Sequence, residues 1–472
     1  MNTALSIADI TKGLKEKTFS AKELAQRFLD TAKEKDKDIH AFLNFTEDIA
    51  LKQAEKIDEK VSRGEKLGAL AGVPCSVKDA ILVEGAPCTA GSKALERYIA
   101  PYDATVITKI KDAGAVVVGK TNMDEFGMGA STENSAFGPT KNPHDLTRVS
   151  GGSGGGSTAS VAAAECVIGL GEDTGGSIRL PASFCGVVGL KPTYGTVSRH
   201  GVISLASSLD QVGPVAKTVE DAEVLFNVIR GKDQMDSTSF DYDYARRTKN
   251  HKPEDVRIGV PKEYFSQGLD PDIEKVIREA IKKLESAGIK IQEVELPHTQ
   301  YALAAYYIIN MSEASANLAR YDGIRYGLSL QEGASLLDTY LDSRGEGLGT
   351  EVKRRVILGT YALSAGYYEA YYNKAQKVRT LLKQDFQKAF EKVDVIAGPV
   401  SPFLPFKIGE RITDPLQMYL VDIYTVPVNL AGLPGLSVPA GKVGDLPVGL
   451  HMIAPAFEEQ RLFETGKLFE KL

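Results

Sequence analysis

An α/β protein is predicted by three features of this 472-residue sequence. Between about 66 and 215, short apolar runs are separated by Gly, Pro and Ser. LAGVPCSVKDAILVEG, AGAVVVGKTNM and AECVIGLGEDTGG each read as a buried strand leading into a loop. Between the first two, DATVITKIKDAG carries its apolar residues at helical spacing, so strand and helix alternate. Further on, RIGVP, DIEKVIREAIKKLESAG and IKIQEVELP read strand, helix, strand, a βαβ unit able to join the same sheet.

The remaining elements follow in order. Residues 1–65 read as helical: Ser20 to Glu23 form a capping box, and Leu24, Phe28 and Leu29 then share one apolar face. The stretch GGSGGGSTASVAAAECV at 151–167 has the glycines of a flexible linker, yet it runs directly into an Ala-rich helix former and a buried strand, which linkers do not do. No lysine follows its glycines, so it is not a P-loop. RRTKNHKPED, at 246–255, is polar and marks a boundary between halves. Residues 301–392 read as mostly helical and tyrosine-rich, with the tyrosines as core and rim packing. VDVIAGPV, LPGLSVPAG and LPVGLHMIA return to strands, and EEQRLFETGKLFEKL closes as an amphipathic helix.

Hydrophobic residues make up 43% of the chain and charged residues 25%, the balance of an ordinary globular protein. The net charge of −6 argues against direct binding of nucleic acid, which needs a clustered basic surface. The N-terminus lacks the basic and apolar segments of a secretory signal, and no apolar run approaches the ~18 residues of a membrane span. A cytoplasmic protein without membrane contact is expected. Cys75, Cys88, Cys166 and Cys185 have no C-x-x-C spacing and read as buried thiols. The six histidines form no paired ligand spacing, so no metal site is expected. His144 and His200 are the candidates for a Ser-His-Asp arrangement, but both sit beside turn residues.

Chemistry is concentrated in GEDTGGSIRLPA, residues 171–182. A strand that leaves through Thr174, Gly175 and Gly176 to present Ser177 is either a tight turn or a nucleophile preceded by backbone N–H groups for an oxyanion, from Thr174 to Ser177. Lys78, just past an apolar run, is an odd choice unless its charge is paired, with Asp79 or solvent, or burial leaves a neutral amine able to act as a base. Ser153 lies among Gly151, Gly152, Gly154, Gly155 and Gly156, and its hydroxyl can donate to one neighbour while accepting from another, as a proton relay must.

Together, GVPCSVKD, GGSGGGS and DTGGSIRLPASFCGVVGLKPTYGTVS resemble the amidase signature family in order and spacing. The resemblance implies a single amidase domain over 1–472, divided into the helical segment 1–65, a signature core at 66–215 and a C-terminal half at 255–472 that holds a helical substrate-pocket region and the returning strands. It implies a large mixed central sheet covered by helices on both faces. It also implies a triad of Lys78, a cis-configured Ser153 and the nucleophile Ser177, with the segment after Ser177 opening a helix whose N-terminal dipole faces the oxyanion. Two positions depart from the family: Gly154 where a second serine is usual, which removes a hydroxyl near Lys78, and Leu180 where glutamine is frequent.

Outside the signature, RYDGIRYG, EVKRRVILGTYALSAGYYEAYY and VDIYTVPVNLAGLPGLSVPAG resemble the glutamine-hydrolysing subunits of tRNA-dependent amidotransferases. That resemblance implies a heterotrimer with a B subunit, which handles charged tRNA and uses ATP and Mg, and a small C subunit; no cofactor belongs to this chain. It also places Arg355 and Asp422 on the α-carboxylate and α-ammonium of glutamine, with Tyr306 nearby, a matching of fork to carboxylate and carboxylate to ammonium. Arg355 can equally belong to a basic helix face with Lys353 and Arg354. A free-standing amidase acting on small carboxamides is the alternative.

Overall fold

The computed structural model describes residues 5–240, 242, 256–266, 268–330 and 335–472; the polar stretch 246–255 lies outside the described residues. The first half runs α1 (Ile7–Lys15), α2 (Ala21–Ile39), β1 (Phe42–Phe45), α3 (Glu47–Ser62), β2 (Pro74–Lys78), α4 (Thr105–Asp112), β3 (Val116–Thr121), β4 (Lys141–Asn142), β5 (Asp145–Val149), α5 (Gly155–Ala162), β6 (Ile168–Asp173), α6 (Arg179–Cys185), β7 (Val188–Lys191), β8 (Gln211–Ala216) and α7 (Val219–Ile229). The second runs β9 (Arg257–Pro261), α8 (Pro271–Ser286), β10 (Lys290–Val294), α9 (Ala302–Leu318), α10 (Leu336–Gly347), α11 (Thr350–Leu363), α12 (Lys374–Phe390), β11 (Val395–Pro399), α13 (Pro415–Tyr419), α14 (Val426–Ala431), β12 (Gly435–Val443), β13 (Leu446–Ile453) and α15 (Glu459–Glu470).

Local chemistry accounts for the N-terminal helices. Glu23 N donates to Ser20 Oγ at 3.0 Å and Ser20 N donates to Glu23 Oε2 at 2.8 Å, a reciprocal capping box, and Leu24, Phe28 and Leu29 are buried on one face of α2. Ser6 and Asp9 cap α1 in the same way. The 1–65 segment is not helical throughout, however. His40 ends α2 in the left-handed region, and the next residues form β1, which pairs antiparallel with β3. Four residues are too short to show strand periodicity; pairing with the sheet decides their conformation.

Eleven strands form one mixed sheet in the order β1-β3-β2-β6-β8-β7-β12-β13-β11-β9-β10. The β3, β2 and β6 strands are mutually parallel, as are β11, β9 and β10, and the other neighbours are antiparallel. Strands β9 and β10 with α8 are the βαβ unit read from the sequence. Helices cover both faces, as alternation along β12 demonstrates. Leu436 meets Gly466 of α15 and, across that glycine, Val219 of α7, whereas Ser437, pointing the opposite way, lies with Gly449 and Ser183 of α6.

The glycine tract is structural. Gly155 and Gly156 open α5, and a Cβ on Gly156 would stand 2.5 Å from the carbonyls of Ala41 and Asn122. Close backbone approach, not flexibility, requires glycine here. A second core cluster packs helices of the C-terminal half, with Tyr306, Tyr307 and Tyr419, against residues of the first half such as Phe126 and Leu205. The four cysteines are free and buried. Among the described residues, no helix is long and apolar enough to cross a membrane.

Candidate active site

Parallel strands β2 and β6 lie side by side, with Val77 opposite Leu170, so the C-terminal end of β2 delivers Lys78 beside the last residues of β6 and the turn that follows them. Ligand sites of open α/β sheets occur at such carboxyl ends. Lys78 is fully buried. Its Nζ lies 2.8 Å from Ser153 Oγ, 2.9 Å from the Glu172 carbonyl and 2.7 Å from Glu172 Oε2. The peptide bond between Gly152 and Ser153 is cis. Gly154 N donates to the Ser177 carbonyl at 3.1 Å, which ties the relay loop to the residue expected to be the nucleophile. Ser177 retains slight exposure, at 6%, while Ser153 and Lys78 have none. The structure thus joins Lys78 to Ser153 through their side chains and holds the Ser177 backbone against the same loop.

The lysine pairs with Glu172, not with Asp79. Asp79 meets Lys120 Nζ at 3.0 Å and accepts from Thr89. Successive residues at a strand end point to opposite sides, so sequence neighbours are poor candidates for a pair.

The turn itself is stapled from behind. Asp173 accepts from Ile178 N at 3.1 Å, from Arg179 Nε at 3.1 Å and from Asn429 Nδ2 at 2.9 Å, and both it and Arg179 are fully buried. Burial opposes ionisation of Asp173, but the charge and hydrogen bonds of Arg179 outweigh it and hold the carboxyl well below the usual carboxylate range. One expectation is corrected by this contact. The helix after Ser177 does form, as α6, but its first N–H groups face Asp173, so its dipole is answered by the protein's own carboxylate. By contrast, among the described residues no protein acceptor takes the N–H groups of Gly175, Gly176 or Ser177. Gly176 has φ +149°, and a Cβ there would lie 3.0 Å from Asp422 Oδ1.

Tyr306 and Asp422 flank the same two glycines. A Cβ on Gly175 would collide with the Tyr306 hydroxyl, and Thr425 Oγ1 donates to the Gly175 carbonyl at 2.6 Å. Asp422 is 7% exposed, and its Oδ1 has no hydrogen-bond partner among the described residues. Burial, reinforced by the charge of Asp173, pushes its carboxyl up, against the opposing pull of Arg355 and Arg179. Arg355 is buried, unlike a member of an exposed basic face. It donates to Glu351 Oε1 at 2.8 Å and to Asn310 Oδ1 at 3.3 Å, and lies 5.3 Å and 5.4 Å from the ring centroids of Tyr307 and Tyr419. Asn310 Nδ2 in turn donates to Tyr306 Oη at 3.4 Å, which connects Arg355 to the glycine turn. A 330 Å³ cavity lined by Glu125, Arg354, Arg355, Met418 and Tyr419 adjoins this side.

Several residues of this environment were not singled out from the sequence. Glu351 and Arg355 are spaced i, i+4, a signal that was available. Glu172 stands inside the quoted motif, but nothing local links it to Lys78. Asn310 and Asp210 carry no sequence signal. The two histidines considered for a triad are engaged elsewhere: His144 Nε2 lies 3.0 Å from the Cys185 carbonyl, and His200 Nδ1 lies 3.3 Å from Thr105 Oγ1. Leu180 fits an apolar cluster with Val149, Phe184 and Met418. At Gly154 a Cβ would stand 2.6 Å from the Ser177 carbonyl, so a side chain there requires the loop to move.

A family model described as Amidase matches residues 23–463. The chain is 55% identical over 469 residues to the A subunit of glutamyl-tRNA(Gln) amidotransferase from Carboxydothermus hydrogenoformans, covering 99% of this chain and 97% of the relative. It is 53% identical over 471 residues to the protein of the same name from Thermoanaerobacter pseudethanolicus, covering 99% and 96%. The crystal structure of the protein so named from Thermotoga maritima matches with a TM-score of 0.81 at 41% identity, covering 99% of this chain and 95% of that one.

Proposed function

The chain belongs to the amidase family, and on that footing we propose that it is the glutamine-hydrolysing subunit of a tRNA-dependent amidotransferase, supplying ammonia for conversion of Glu-tRNA(Gln) to Gln-tRNA(Gln). The observation that carries the substrate assignment is the position of Tyr306 and Asp422 against Gly175 and Gly176, with the unpartnered carboxylate oxygen of Asp422 beside Gly176. The names borne by the relatives support the acceptor.

In this reading Ser177 Oγ attacks the side-chain carbonyl carbon of glutamine. Its proton passes to Ser153 Oγ as the Ser153 proton passes to Lys78 Nζ. As a neutral amine, Lys78 keeps two N–H bonds on the carbonyl and carboxylate of Glu172 and points its lone pair at Ser153. The oxyanion takes the free N–H groups of the turn, each such donor being worth about 2.7–4 kcal/mol. The proton then returns through Ser153 to the departing nitrogen, which leaves as ammonia. Water attacks the γ-glutamyl ester by the reverse relay and releases glutamate. Arg355 holds the α-carboxylate and Asp422 the α-ammonium.

Tetrahedral chemistry of this kind needs no cofactor in this chain. ATP and Mg belong to a B-type partner that holds the charged tRNA, with a small C-type subunit completing a heterotrimer, and the net charge of −6 fits a chain that leaves tRNA to its partner. Ammonia release from glutamine, measured for the chain alone and with B- and C-type subunits, tests the reading. Ser177→Ala should abolish release and leave the assembled complex able to amidate tRNA from ammonium salts. Hydrolysis of simple carboxamides with glutamine untouched would transfer the chain to the free-standing amidases, and undiminished release by Ser177→Ala would end the nucleophile assignment.

A further inference from the structure

Behind Lys78 lies a chain of polar groups that the triad itself does not require. Glu172 Oε2 accepts from Lys78, while Glu172 Oε1 lies 2.5 Å from Thr174 Oγ1, which lies 2.7 Å from Asp210 Oδ1. Glu172, Thr174 and Asp210 are all buried. A threonine hydroxyl has one proton and cannot donate to two carboxylates. One carboxyl must therefore carry a proton and donate to Thr174.

That carboxyl is Asp210. Glu172 has Lys78 Nζ at 2.7 Å to hold its charge, whereas Asp210 accepts only the neutral N–H groups of Leu205 and Ala206; these favour its ionised form, but burial and the charge of Glu172 outweigh them and push it up. The bonds then run one way: Asp210 O–H to Thr174, Thr174 O–H to Glu172, and Lys78 N–H to Glu172 from the other side. Both Glu172 oxygens are committed, so the carboxylate cannot rotate away from the amine. The position usually occupied by a second serine is Gly154, and Glu172 is the only side chain besides Ser153 that hydrogen-bonds Lys78 among the described residues.

We propose that Glu172 is a positioning residue for Lys78: anchored through Thr174 to Asp210, its carboxylate aims the amine at Ser153 and provides the counter-charge when the relay proton arrives. The proposal rests on the triad reading above. In the step concerned, the proton of Ser177 Oγ passes to Ser153 Oγ and replaces the proton of Ser153, which ends on Lys78 Nζ. Glu172 remains a carboxylate, and the Asp210 proton does not move. The titratable and charged groups facing this assembly are Lys78 on β2, Asp124 in the loop after β3, Arg199, whose charge acts on Asp210, and Tyr306 on α9.

The test uses the full-length chain and a fluorophosphonate that phosphonylates the active serine independently of the natural amide. The rate of labelling at Ser177 is followed from pH 5 to 9 in the wild type, Glu172→Gln and Asp210→Asn, with Ser177→Ala as the blank and circular dichroism to verify folding. Loss of the counter-charge makes the lysine easier to deprotonate and a weaker base. In Glu172→Gln the acidic limb of the profile should therefore move down by about one pH unit or more, and the plateau should fall roughly tenfold. Asp210→Asn, which replaces a group already neutral, should move the limb by less than half as much. A Glu172→Gln limb that stays in place, with only a lower plateau, makes Glu172 a structural residue and overturns the proposal; so does an Asp210→Asn shift equal to that of Glu172→Gln. If Glu172→Gln does not fold, the same limb is read in Glu172→Ser, which also lacks the counter-charge, and a fixed limb is again the refuting result. A wild type that labels at Ser177 but ignores glutamine removes the substrate reading and leaves this inference standing.

Discussion

Replacing Asp422 by Asn tests whether the pocket is built for an amino acid. The carboxyl is 7% exposed and its Oδ1 has no partner among the described residues, so an incoming ammonium meets an acceptor with little competition from water. A charge-assisted hydrogen bond of this kind contributes about 1.5–3 kcal/mol, which is roughly 10- to 150-fold in kcat/KM. Two substrates separate the effect from general damage. Glutamine carries the α-ammonium, whereas glutaramate keeps the carboxylate and the amide but lacks it. Asp422→Asn should show the full loss on glutamine and little change on glutaramate. The pH dependence supplies a second reading. Burial raises this carboxyl, so in the substrate-free protein it tends to hold its proton, and binding an ammonium favours the ionised form. Glutamine binding should therefore release a proton, and KM should fall as pH rises towards the carboxyl's own titration, by up to about tenfold per unit, then level off. Asp422→Asn should remove that slope. Ammonia release assayed between pH 6 and 8.5 measures both. An equal loss on the two substrates, or a wild-type KM that ignores pH, refutes the assignment of Asp422 to the ammonium.

Arg355→Ala should reduce kcat/KM for glutamine and glutaramate alike, again by roughly 10- to 150-fold, while sparing any activity on propionamide, because both substrates present the carboxylate that the guanidinium holds. Lys78→Ala should cost roughly 10²–10⁴-fold in ammonia release, and Lys78→Arg should not restore it, since a guanidinium cannot give up its proton at working pH. Gly175→Ala should abolish activity while Tyr306 is present, because the added methyl meets both the tyrosine hydroxyl and its ring carbon Cζ; partial recovery in the double variant with Tyr306→Ala, which removes the ring, is the check. Away from the site, Glu165 is fully buried, both of its carboxylate oxygens lack partners among the described residues, and burial pushes it up to about 9. A carboxyl raised in the folded state favours folding fully below its unfolded pKa and loses that contribution as pH rises. Glu165→Gln should therefore reduce the fall in stability between pH 5 and 8 by up to about 4 kcal/mol, read from urea denaturation midpoints at the two pH values.

What could be read along the chain was whatever depends on near neighbours. The Ser20–Glu23 box, the alternation of buried strands with helices and the turn at Gly175 and Gly176 are local, because caps, periodicity and the lack of a Cβ act over a few residues. Lys78, Ser153 and Ser177 could be named because three separated motifs together resemble a family, although 75 positions separate the first two. Pairing was another matter. Adjacency offers Asp79 as one possible partner for Lys78, yet the folded chain gives Lys78 to Glu172 of β6 and Asp79 to Lys120 of β3. Strand order brings β6 to one edge of β2 and β3 to the other, and no periodicity records that order. The same holds for β1, too short to show its own period, and for Asp173, whose reach to Ile178 and Arg179 turns the start of α6 inward. Charges buried in an interior of low dielectric take whichever partner the packing of distant segments places within about 3 Å, so side-chain pairing at this site is a property of the assembled sheet.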